Sequence, residues 1–304
     1  MIPKIFVVIA CSALAAASAL AQHDHTQQAS GAPQVTLVHV HGLAFSADGK
    51  LLMIPSHFGL AIYESGKWSK APGPEHDYMG FSATANSIYS SGHPAAGSNL
   101  VNPFGLLRSK DGGKTWDKLV LEGESDFHVM ATSWSTNAVY VWNQQPNSRM
   151  KQIGLYYTRN DGFSWTRVSA KGLDGNPYTL AVHPDDAKSL AVATPAGVFA
   201  SSDTGESFGR VTATQGTAVF FDLDGKHLWY GTYDSTAHLA RAALQGKAST
   251  SFKLPPLTKD AVSFIAQNPV RRDEFAIATF NRDVYVSSDA GKSWKPIAQR
   301  GETK

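Results

Sequence analysis

Only one of the 304 residues is a cysteine, Cys11, and it lies in the first apolar stretch, so the rest of the chain has neither thiol nor disulfide. Cysteine-ligated metal sites, thiol catalysis and a disulfide framework are thereby excluded from the folded part. Charge is also scarce: Asp, Glu, Lys and Arg make up 17% of the residues and the formal net charge is +2, which argues against a nucleic-acid binder or a polyacidic partner. No segment holds a long apolar period of 3.6 residues, so almost no helix is expected. Glycine (26 residues) and aromatic residues (11%) are plentiful in a chain that is 42% hydrophobic, a composition suited to a turn-rich β-protein with a sizeable interior.

Residues 1–21 have the order of a secretory leader: Lys4, an apolar and small-residue run from Ile5 to Leu20, and Ala19-Leu20-Ala21 as a small-x-small cleavage site. Export to the periplasm is expected, with no membrane span after cleavage, because basic stop residues are missing. Val8-Ile9-Ala10-Cys11 imitates a lipobox, but the apolar run before it is short. Residues 22–33 are polar and small, a disordered lead-in whose His23-Asp24-His25 would hold metal loosely. Residues 34–304 form the domain, expected to be monomeric.

Within that domain an aromatic residue closes a similar turn six times, at Trp68, Trp116, Trp165, Phe208, Phe252 and Trp294, with gaps of 48, 49, 43, 44 and 42 residues. Four turns share an octapeptide, Ser109-Lys-Asp-Gly-Gly-Lys-Thr-Trp116, Thr158-Arg-Asn-Asp-Gly-Phe-Ser-Trp165, Ser201-Ser-Asp-Thr-Gly-Glu-Ser-Phe208 and Ser287-Ser-Asp-Ala-Gly-Lys-Ser-Trp294. The carboxylate or amide at its third position can accept backbone N–H bonds, the glycine permits backbone angles closed to other residues, and the ring packs between units. A period near 44 residues fits one four-stranded unit per repeat, since a single small sheet cannot bury both faces alone. The fold class is therefore all-β, a six-bladed β-propeller. These octapeptides resemble the Asp-box, or BNR repeat, of sialidase-like and sortilin-like propellers.

Antiparallel connections put the entry to each inner strand and the turn after each second strand on one face, and the octapeptides on the other. The box-free face collects ligand-type side chains: His39 and His41, His57, Glu75-His76-Asp77, His93, and Asp126-Phe127-His128. Residues two apart on a strand point to one side, so His39 and His41 have the spacing of two ligands to one ion. The candidate metal ligands are His39, His41, His57, His76, His93 and His128. Imidazole, carboxylate and thioether without thiolate suit copper, with zinc as the alternative. The expected function is metal handling or tolerance, with the ion as first partner and another exported protein as a second.

His39-Val-His41-Gly42-Leu43, His57-Phe-Gly59-Leu60 and Ser91-Gly92-His93-Pro94 are similar to motifs of a small exported bacterial BNR family labelled glycosyl hydrolase or exo-sialidase-like. Its members often sit beside copper-handling genes. The resemblance keeps a hydrolase reading open, with Glu75, Asp77, Tyr78 and Asp126 as candidate catalytic residues. Against a sialidase stand the arginines: Arg108 and Arg159 lead into octapeptides, Arg167 and Arg210 follow them, and Arg271-Arg272 sit in a turn on the octapeptide face. A docking propeller, as in photosystem assembly, is the third alternative.

Overall fold

The computed structural model describes residues 35–246 and 248–304; the leader, the lead-in and its two histidines lie outside the described residues. Blade one is β1 (Ala44–Phe45), β2 (Leu52–Ser56), β3 (Gly59–Glu64) and β4 (Lys67–Lys70), and blade two is β5 (Asp77–Ala83), β6 (Ile88–His93), β7 (Leu106–Ser109) and β8 (Asp117–Val120). Blade three is β9 (Met130–Thr132), β10 (Val139–Asn143), β11 (Gly154–Thr158) and β12 (Thr166–Arg167). Blade four follows as β13 (Thr179–Val182), β14 (Leu190–Thr194), β15 (Gly197–Ser201) and β16 (Gly209–Thr212), and blade five as β17 (Gly216–Phe221), β18 (His227–Tyr233), β19 (Ala237–Ala243) and β20 (Ser249–Phe252). Blade six is β21 (Val262–Gln267), β22 (Phe275–Thr279), β23 (Val284–Ser287), β24 (Lys295–Gln299) and a short fifth strand, β25 (Glu302–Thr303). Each blade is an antiparallel sheet in chain order, and the inner strands touch in the closed sequence β1, β5, β9, β13, β17, β21 and back to β1. The six-bladed all-β propeller is thus the fold. Among the described residues no helix is long and apolar enough to cross a membrane.

The interior is divided into six cores, each made where two neighbouring blades meet. The core between blades six and one also takes in Val35 and Leu37, which pack against Ile297 and Ala298. There the two ends of the described chain are tied: Thr36 bridges Glu302, Leu37 N–H donates to Gly301 O at 2.8 Å, and Thr303 Oγ1 donates to Val35 O at 2.7 Å.

The first inner strand is shorter than its β-forming residues predict. A strand from Val38 to Phe45 is expected, but only Ala44 and Phe45 are laddered, opposite Met53 and Leu52. The cause lies in the partner strand: extending that register sets Pro55 against Gly42, and proline has no N–H to donate. His41 N–H still reaches Pro55 O at 3.2 Å, so His39 and His41 run above the ladder toward the box-free face.

The octapeptides close their turns alike. Asp111 Oδ1 accepts Thr115 N–H at 2.9 Å, Ser109 Oγ accepts Gly113 N–H at 2.8 Å, and the turns at Asn160, Asp203 and Asp289 repeat these bonds. Bonds from the neighbouring hydroxyls and N–H groups hold Asp111, Asp203 and Asp289 down at about 2. The glycine has a second task. A Cβ on Gly113 would stand 2.4 Å from Leu60 Cδ1 of blade one, and one on Gly162 2.5 Å from Val120 Cγ2 of blade two, so the bare backbone presses each turn against the preceding blade.

Gly112 and Gly113 separate backbone strain from packing, because both have positive φ (77° and 88°) but a Cβ on Gly112 meets nothing within 4 Å. Gly112→Ala should cost about 1 kcal/mol for the φ alone, and Gly113→Ala a further 1–3 kcal/mol, roughly, for overpacking. Denaturant midpoints check this; equal losses would mean that the blade contact contributes nothing.

Candidate functional site

The box-free ends of blades one, two and three bring two histidine–aspartate groups together. In the first, His39 and His41 stack with ring centroids 5.7 Å apart and planes within 2°, as residues two apart on one side should. His57, at the turn between β2 and β3, lies edge-on to both, at 4.4 Å from His39 and 5.2 Å from His41. Its Nδ1 bonds Asp77 Oδ2, while His41 Nε2 stands 3.5 Å from Asp77 Oδ1. In the second, Asp126 Oδ2 is shared by His93 Nε2 at 2.9 Å and His128 Nε2 at 2.6 Å, and His93 is held at its other nitrogen by Asn102 Oδ1 at 2.7 Å.

The two groups are linked through blade two. Asp77 and His93 are register partners on β5 and β6, and Gly92 lies against the backbone of Asp77 so tightly that a Cβ there would meet Asp77 O at 2.0 Å. Ser91 Oγ donates to Gly105 O and accepts Phe127 N–H at 3.0 Å, which fixes the Asp126-Phe127-His128 entry of blade three against blade two. A short run, Ser91-Gly92-His93, thereby sets the spacing of both carboxylates.

The side chains of Asp77 and Asp126 are only 15% and 16% exposed, yet Asp77 Oδ1, Asp126 Oδ1 and His41 Nε2 are buried without a hydrogen-bond partner. Buried polar atoms left unpaired are uncommon and mark sites built to meet something else. Burial drives the His41 imidazole down to about 4, with His57 and His39 adding to the shift and Asp77 opposing it. His128 moves the other way, raised chiefly by its hydrogen bond to Asp126. Ring nitrogens of His39, His41 and His57 lie within 4.8 Å of one another, as do ligand atoms of His93, Asp126 and His128, so either group has the spacing to share one cation.

Three residues singled out in the sequence stand apart from these groups. His76 precedes Asp77, so alternation sends it the other way: its Nδ1 accepts Ala95 N–H at 3.0 Å and its ring packs on Phe104 and Tyr78. Glu75 is exposed and paired with Lys70 Nζ at 2.7 Å. Tyr78 is buried to 1% against Trp116, with its phenol pKa raised by burial, and has no access to a substrate. The other histidines serve turns elsewhere: His183 Nε2 meets Gly225 O, His227 adjoins Arg241 and the buried Asp222, and His238 pairs with Asp234.

The structure also adds a residue that the sequence reading passes over. Arg282, in the turn after β22, lies on the box-free face beside His39, whose imidazole it helps to lower. The same connection rule that placed the histidines would have found it.

No protein-family model matches the chain. A xyloglucanase of Hypocrea jecorina is 32% identical over 131 residues, 41% of this chain and 15% of that protein, and an oligoxyloglucan-reducing end-specific xyloglucanase of Emericella nidulans is 24% identical over 237 residues, 66% of this chain and 26% of that protein. This chain therefore spans only a small part of these curated relatives' length. Among solved structures, the GH74 enzyme of Niastella koreensis aligns over 87% of this chain and 46% of its own, with a TM-score of 0.60 at 13% identity, a likeness of fold. These comparisons correct the expectation of copper handling or metal tolerance: the relatives are xyloglucanases, and the hydrolase alternative is the better supported.

The opposed imidazole shifts predict a two-sided pH dependence of stability. His41, with its folded pKa lowered, contributes stability above its ordinary 6.5 that is lost as pH falls toward about 4. His128, with its folded pKa raised, contributes stability below 6.5 that is lost as pH rises through the folded value. Melting temperature against pH should flatten on the acid side in His41→Gln and on the alkaline side in His128→Gln; unchanged profiles in both would refute the assignment.

Proposed function

We propose that this propeller is a glycoside hydrolase whose carboxylate pair is Asp77 and Asp126, working on an oligo- or polysaccharide laid across the box-free face. The observation that carries the reading is the pair itself: two mostly buried aspartates on adjacent blades, each with one oxygen held by histidine and the other buried without a partner. Glycosidic cleavage asks for two carboxyl groups flanking the bond, one to protonate the leaving oxygen and one to activate water or attack the anomeric carbon. The histidine-held oxygens fix the orientation of each carboxyl group and leave the other oxygen of each without a hydrogen-bond partner. The xyloglucanase relatives make a xyloglucan-type β-glucan the first substrate to test.

In this reading the octapeptide turns are Asp-boxes of the BNR type with a folding role, supported by their shared hydrogen bonds and their seat against the preceding blade. A substrate of this kind is met outside the cytoplasm, which fits the leader-like residues 1–21 and an exported, periplasmic enzyme.

Reducing-end release from xyloglucan and its oligosaccharides tests the proposal. Asp77→Asn and Asp126→Asn should each lower turnover by about a hundredfold or more in protein that remains folded, as loss of a general acid or base does. Glu75→Gln should leave it unchanged. No release by the wild-type protein from xyloglucan, other β-glucans or uronate-bearing glycans, or full activity in both Asn variants, would sink it.

A further inference from the structure

On the same face lies a cavity of about 440 Å³, within the usual range of about 300–1,000 Å³ for small-molecule sites, with His39 and His41 on one wall, His41 being the neighbour of Asp77. It is framed by the turn from Thr279 to Arg282 on blade six and by Tyr178 at the entry of blade four, so it spans the mouth of the axial channel. A second cavity, of about 130 Å³, lies between inner-strand side chains and shares His41, Tyr178, Thr179, Ser263 and Phe264 with the first.

Two features of the wall point to the ligand's chemistry. Tyr178 and Phe280 are 43% and 56% exposed, large rings left in contact with solvent. Flat aromatic faces suit the C–H face of a pyranose, which is apolar while its rim is polar. Arg282 is the one arginine among the lining residues; its Nη1 donates to Val38 O at 2.9 Å, and among the described residues no carboxylate pairs with its guanidinium. A guanidinium anchored at one nitrogen, with its remaining donors unmatched by an acid, is arranged to receive a carboxylate.

We infer that this cavity is a subsite for a hexuronic acid residue, with its ring against Tyr178 and Phe280 and its carboxylate on Arg282. The inference rests on the glycoside hydrolase reading for the chain's role, but binding tests it independently of turnover. Sialic acid carries a carboxylate too, but its recognition asks for a cluster of arginines where this cavity offers one. The subsite makes the preferred substrate an acidic, uronate-bearing glycan rather than a wholly neutral one.

Direct titration of the full-length protein with D-glucuronate, D-glucuronamide, D-glucose and N-acetylneuraminate separates the possibilities without requiring cleavage. Glucuronate should bind about tenfold or more tightly than glucose, the effect of one hydrogen bond to a charged group, and glucuronamide, which keeps the shape but not the charge, should bind like glucose. Arg282→Gln should remove the preference for glucuronate and leave glucose binding unchanged, whereas Tyr178→Ala with Phe280→Ala should weaken both. Equal binding of glucuronate, glucuronamide and glucose by the wild-type protein would overturn the proposal even if Arg282→Gln fails to fold. So would tighter binding of N-acetylneuraminate than of glucuronate, or a preference that survives Arg282→Gln. Loss of glycan cleavage in Asp126→Asn with the glucuronate preference intact would support both readings; no cleavage by the wild-type protein with that preference intact would leave the subsite standing and the hydrolase reading fallen.

Discussion

Contact between neighbouring blades is the constraint on which everything else in this molecule depends. A four-stranded blade of this size has no interior of its own, so Leu106, Tyr140, Val192 or Ile277 becomes buried only when a neighbouring blade packs against its own. The octapeptide turns act on that contact, with a glycine on each set against the blade before it. Because the cores follow one another around a ring, the last depends on the first, and the clasp of Thr36, Leu37 and Thr303 with its partners completes the set. A linear repeat array exposes two end units; this one joins its ends and exposes none.

Much of this was legible in the chain. Aromatic spacing gave the number of blades, and antiparallel connection gave the faces, because both depend on local periods of two and about 44 residues. The stacking of His39 on His41 followed from the same period, and so should the turning away of His76, which is next to Asp77 and must point elsewhere. What the chain could not display is what crosses between blades. That Asp126 meets His93 of the preceding blade, and that Ser91 ties the two, depends on the distance between sheets, which no residue pattern within one repeat encodes.

The functional expectation failed for a related reason. Histidine on one face is read most directly as metal chemistry, yet here the imidazoles bond two aspartates, and the relatives of the chain are xyloglucanases. The same side chains serve either chemistry, and the difference lies in which group is central. Counting histidines puts the imidazole at the centre; tracing hydrogen bonds puts the carboxylate there.

The position of the two aspartates has a mechanical meaning. Asp77 belongs to blade two and Asp126 to blade three, and the joint between those blades runs between them, crossed by His93 and by Ser91 Oγ. The spacing of the two carboxylates is therefore set by the width of a seam rather than by the rigidity of one sheet. Any tilt of blade three against blade two moves one carboxyl group relative to the other while both blades stay intact. At this seam, a change in blade packing is also a change in the gap between two mostly buried carboxylates.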